Sequence, residues 1–120
     1  MAARALLVSS DLFFISKVKE AAAGCAKEVK TVRSLEALEQ ESAPGDASAG
    51  LLIIDLEKLP IPLEAIALAA SALSARGWQV VSFFSHVHVT TAENARGLGL
   101  GEPMPRSKFV RVLPELLAAL

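Results

Sequence analysis

A single cysteine, Cys25, excludes an internal disulfide and a cysteine-rich zinc site. An excess of either charge is also missing. Twelve Lys and Arg face 13 Asp and Glu, for a net charge of −1. A chain so balanced has no global field to hold nucleic acid or an anionic membrane, and neither is expected as a partner. Long apolar runs are absent too. The stretch from Ile61 to Ala75 is broken by Glu64 and falls short of the roughly 20 residues of a membrane span. The opening run to Val8 is too short for a signal-peptide core. The expected compartment is therefore the cytoplasm, where Cys25 stays reduced and serves as a small apolar residue. H-E-x-x-H, P-loop and G-x-S-x-G patterns are lacking, and neither enzymatic activity nor a cofactor is expected.

Apolar residues are plentiful. They make up 52% of the chain, with a mean hydropathy of +0.45. That composition excludes global disorder and gives one domain, residues 1–120, enough material for a single core.

The periodicity alternates strand and helix five times. Ala5 to Val8 is a continuous apolar run, the mark of a strand covered on both faces. Ser10 or Asp11 then caps a helix with Phe14, Val18, Ala22 and Cys25 inward and Gly24 at its end. Glu28 to Val32 is short and half polar, as suits a strand near an edge. Ser34 caps a second helix, with Leu35 and Leu38 inward and Glu36, Glu39 and Glu41 outward. Ser42 to Gly50 reads as a surface loop. Leu51 to Asp55 is the clearest buried strand. Pro60 and Pro62 open a helix that Gly77 stops. Trp78 to Phe84 is the fourth strand, and Thr90 or Thr91 caps a fourth helix ending near Gly97. The run Gly97-Leu98-Gly99-Leu100-Gly101 follows a helix, so it reads as a loop and not as a phosphate-binding fingerprint. Pro103 and Pro105 restrict the fifth strand to a short edge. Ser107 to Leu120 closes the chain as a helix, in which Pro114 is tolerable only close to the helix start.

Five such units argue for an α/β fold of three layers, a five-stranded parallel sheet between helices, in the flavodoxin-like order 2-1-3-4-5. Its functional crevice lies at the carboxyl ends of the strands. There stand Ser9, Ser10 and Asp11 after strand 1, Asp55, Glu57 and Lys58 after strand 3, Ser85, His86 and His88 after strand 4, and Arg106 and Lys108 after strand 5.

This layout resembles the receiver domain of the response regulators of two-component phosphorelay signalling, over essentially the whole chain. The resemblance places Asp55 at the phosphoryl-acceptor position and Ser85 at the hydroxyl position that ends strand 4. The family's acidic pair after strand 1 reads Ser9-Ser10 here. Its Lys-Pro pair reads Arg106-Ser107, with Lys108 two residues late. Phosphoryl transfer to a carboxylate needs Mg²⁺ held by carboxylates and waters, and Ser9 and Ser10 remove that support. The resemblance thus implies a degenerate receiver-like module that works by protein–protein interaction, without a metal. The alternatives are a receiver still phosphorylated on Asp55, or a small-molecule or anion-binding protein of the same fold.

Each crevice residue has a second reading. Asp55 also suits capping of its following loop. Ser9 and Ser10 either line an anion site or cap the helix. His86 and His88 share a face if extended, but a third metal ligand beyond Asp55 is not in view. Arg106 and Lys108 either contact an anion or face solvent. Four consecutive apolar residues, Leu12 to Ile15, cannot all face the core, and Phe13 and Ile15 are expected to form a contact surface. The resemblance also implies pairing through helix 4, strand 5 and helix 5. A homodimer is expected there, with Arg96 or Arg111 of one copy meeting Glu93 of the other.

Overall fold

The computed structural model describes residues 4–42, 49–84 and 89–120. The elements follow as β1 (Arg4–Val8), α1 (Leu12–Gly24), β2 (Val29–Val32), α2 (Leu35–Ser42), β3 (Gly50–Asp55), α3 (Leu63–Ala75), β4 (Gln79–Phe84), α4 (Val89–Gly97), β5 (Met104–Pro105) and α5 (Arg106–Ala118). The five strands are all parallel, in the order β2-β1-β3-β4-β5. This is the three-layer α/β, flavodoxin-like architecture.

The apolar strands β1 and β3 occupy the centre because each needs cover on both faces. Side chains alternate along them, so two cores form. On one face Leu7, Ile53 and Phe83 pack under α1 and α5, against Phe14, Val18, Phe109 and Leu113. On the other, Leu6, Leu52 and Ile54 pack under α2, α3 and α4, against Leu38, Ile66, Leu73 and Ala95. Phe14, Phe83 and Phe109 form an aromatic cluster, with Phe83 and Phe109 stacked, their centroids 4.5 Å apart, and Phe14 tilted against Phe83 at 4.7 Å.

The helix ends share one device. After α1, α3 and α4 the chain closes with paired back-bonds. Lys27 donates to Ala22 and Ala26 to Ala23, Trp78 to Leu73 and Gly77 to Ser74, Leu100 to Ala95 and Gly99 to Arg96. The motif requires a left-handed residue. Gly77 and Gly99 supply it at φ +88° and +79°, while after α1 it is Ala26, at φ +56°. Gly24, which reads as the stop in the sequence, is the last helical residue.

Other details depart from the sequence reading. Leu35 is 42% exposed because it stands at the first position of α2, ahead of the turn that meets the sheet. Glu41 is half-buried and pairs with Lys30 instead of facing water. Thr90 and Thr91 lie inside α4, which already begins at Val89. Pro114 sits eight residues into α5, in the helix interior. The packing of Phe109, Leu113 and Leu117 on either side of it holds the helix through the missing hydrogen bond. Arg106 opens α5 instead of ending the fifth strand.

Candidate functional site

Two loops meet at the carboxyl ends of β1 and β3. Among the described residues only Ser9, Asp55 and Ser82 are polar and fully buried. Ser9 and Asp55 are joined: the Ser9 hydroxyl donates to Asp55 Oδ2 at 2.8 Å. Ser9 Oγ in turn accepts from the Asp11 amide at 3.1 Å, which fixes the hydroxyl proton toward the carboxylate. The other carboxylate oxygen, Oδ1, accepts from the Glu57 amide at 3.0 Å. Ser10 ties the loops from outside. Its amide and its hydroxyl both donate to the Lys58 carbonyl, at 2.9 and 3.1 Å.

Burial pushes the Asp55 carboxyl above its ordinary value of 3.8. The Ser9 hydroxyl, the Glu57 and Lys58 amides and the charge of Arg106 pull it down, and burial prevails.

Asp11 is the N-cap of α1. Its Oδ1 accepts from the Phe13 and Phe14 amides at 3.1 and 3.3 Å. Its other oxygen lies 3.7 Å from the Arg106 guanidinium, which is 3.5 Å from Glu57 on its other side. The guanidinium also lies over the Phe14 ring, 4.4 Å from the centroid. Arg106 is therefore a strut between α5, the cap of α1 and the β3–α3 loop. Glu57 is half-buried beside it.

The structure gathers Ser9, Ser10, Asp11, Asp55 and Arg106 into one crevice. Lys108 is exposed on α5. Ser85, His86 and His88 lie outside the described residues. Among the described residues, no three His, Cys, Asp or Glu side chains are placed to hold a metal ion. No helix among them is long and apolar enough to cross a membrane.

On the flanks, Phe13 is 71% exposed, as its position in the apolar run suggests. Ile15 is only 6% exposed, because it follows Phe14 onto the sheet, and Leu12 at 63% takes its place on the surface. Glu93, Arg96 and Arg111 are exposed. Arg96, however, makes a two-pronged pair with Glu102 of its own chain, at 2.7 and 2.8 Å. Arg96 is thus already paired within its own chain, to a residue other than Glu93.

Three features escaped the sequence reading. The mutual bond of Ser9 and Asp55 joins residues 46 apart, and only the pairing of β1 with β3 brings them together. The seat of Arg106 on Phe14 needs α1 and α5 to be neighbours. The Ser82 hydroxyl is buried with no hydrogen-bond partner among the described residues; its one signal is a serine inside the apolar run QVVSFF.

No family model, curated protein or solved structure gives a significant match to the chain.

Proposed function

We propose that the chain is a degenerate receiver-like signalling module that acts by binding protein partners and does not use Mg²⁺-dependent phosphoryl transfer to Asp55. The observation that carries this reading is the bond from Ser9 to Asp55. An acceptor carboxylate must offer a free oxygen to phosphorus and share a metal with the incoming phosphate. Here both oxygens of Asp55 are engaged by the protein's own donors, and the residue is 2% exposed. Ser9 and Ser10 supply hydroxyls where a divalent cation calls for carboxylates. The nearby cation does not compensate. Arg106 already faces Asp11 and Glu57, so an arriving phosphate would compete with two carboxylates for it. What remains for function is surface, and Leu12 and Phe13 lie exposed at the crevice rim.

The test is incubation with acetyl phosphate and Mg²⁺, read by intact mass, beside an Asp55→Asn control. The expected result is no phosphoryl adduct on either protein. A stoichiometric adduct on the wild type that the control lacks overturns the proposal.

A further inference from the structure

The two helical layers carry opposite charge. Helices α1 and α5 hold five basic residues against two acidic ones; with Arg106 held between Asp11 and Glu57, four basic residues, Lys17, Lys19, Lys108 and Arg111, remain for the surface. Helices α2 and α3 hold Glu36, Glu39, Glu41 and Glu64 and no basic residue; Glu41 pairs with Lys30, and α4 on the same side adds one charge of each sign, Glu93 and Arg96. These pairs pack on opposite faces of the sheet. The near-neutral chain therefore has a basic front and an acidic back.

Each side also has an apolar feature. On the basic side a groove of about 390 Å³ runs between α1 and α5, lined by Phe14, Val18, Ala21, Val110, Leu113 and Pro114, with Lys17 and Glu20. Pro114 has no N–H to give the Val110 carbonyl, so the groove wall includes a backbone acceptor without its usual helical donor. On the acidic side Leu68 stands out from α3 at 77% exposure, with Leu35 of α2 at 42%. Glu36, Glu39 and Glu64 on these two helices are exposed.

We infer that the chain associates head to tail, with Leu68 on the acidic α2–α3 face of one copy seated in the apolar groove of the basic α1–α5 face of the next. The inference rests on the partner-binding reading and names the partner as a second copy. The charge of each face selects the other and opposes front-to-front or back-to-back pairing. Burial of Leu68 in the groove supplies the apolar contribution. Because the two patches differ and lie on opposite faces, the contact is heterologous and copies add in a row.

Two substitutions at exposed positions separate the faces. Leu68→Arg removes the knob and keeps the groove; Val110→Glu spoils the groove and keeps the knob. Light scattering of the wild type should show a mass that rises past the dimer with concentration. The rise should weaken as ionic strength goes from about 0.01 to about 0.15 M, which shortens the Debye length from about 30 to about 8 Å. Each variant alone should be monomeric, its dissociation constant raised roughly tenfold or more. Their equimolar mixture should give a one-to-one dimer and nothing larger, since one intact knob meets one intact groove. Circular dichroism and urea midpoints show that both variants are folded, and Leu68→Ser with Val110→Ser replaces the pair if either is not. A wild type that stays monomeric overturns the inference, as does a mixture that stays monomeric. So does a variant that still dimerises alone, which would point to a twofold face such as α4–β5–α5. None of these outcomes bears on the acetyl phosphate experiment, so the two readings fail separately.

Discussion

Replacing Asp55 by asparagine isolates the charge of the buried carboxylate from its shape. In the native chain one oxygen receives the Ser9 hydroxyl and the other the Glu57 amide. An asparagine keeps its carbonyl for the Glu57 amide and turns its NH₂ to Ser9 Oγ, which then accepts. What is lost is the charged character of the bonds to the carboxylate, about 1 kcal/mol each, and the acceptor of the Ser9 hydroxyl proton. What is regained is the burial penalty of the anion. That penalty is the larger quantity, because burial holds the carboxyl above 3.8 despite the bonds and Arg106. Asp55→Asn is therefore expected to be neutral or stabilising near neutral pH, with no loss beyond about 2 kcal/mol. The pH dependence has a definite sign. The folded carboxyl binds its proton more tightly than the unfolded one. The resulting stability is fully present below 3.8 and is lost as the pH rises through the higher folded value. The asparagine variant lacks this titration. Acidification from neutral pH should thus move the stability difference in the wild type's favour. Urea unfolding of both proteins across that range measures it. A loss above about 2 kcal/mol near neutral pH would mean that the charge is compensated in the fold. A difference that moves toward the variant on acidification would refute the reasoning as directly.

Other substitutions test the frame around the crevice. Asp11→Ala removes the acceptor of the Phe13 and Phe14 amides and should lower the urea-derived stability by about 1 kcal/mol. Ala26→Gly relieves a left-handed alanine and should raise it by up to about 1 kcal/mol, with no change in the circular dichroism spectrum.

The strands were legible because each is an apolar run long enough to demand cover on both faces, and that demand leaves little choice of topology. Ala5 to Val8 and Leu51 to Ile54 are buried throughout, and the prolines of the fifth strand stand at the edge. Local capping was legible where one side chain decides it, as at Asp11 and Ser34, whose Oγ accepts from the Ala37 amide. It failed where the chain accepts local strain. Ala26 occupies a place that glycine fills after α3 and α4, and Pro114 sits where a helix would not choose it. In the candidate site the residues were legible but their relations were not. Ser9, Asp55 and Arg106 each suggested a ligand. The fold turns the first two toward each other and holds the third between two carboxylates. Facing directions within a short apolar run are also underdetermined, and Leu12 and Ile15 exchanged places for that reason.

The two-residue strand β5 has a consequence for how the molecule breathes. Among the described residues it meets β4 at Phe83–Met104 and Phe84–Pro105 alone, and a proline gives no amide to a ladder. The β5–α5 unit is therefore held to the body chiefly by the side chains of Phe109, Leu113 and Leu117. Such a unit opens at a lower free energy than the β1–β3 centre, as a partial unfolding of its own. Hydrogen exchange would register it as α5 amides exchanging together while those of β1 and β3 stay protected. Arg106 travels with α5. When the unit lifts, Asp11 and Glu57 lose their shared cation and the carboxyl ends of the central strands face solvent. Access to the crevice is thereby linked to the docking of α5.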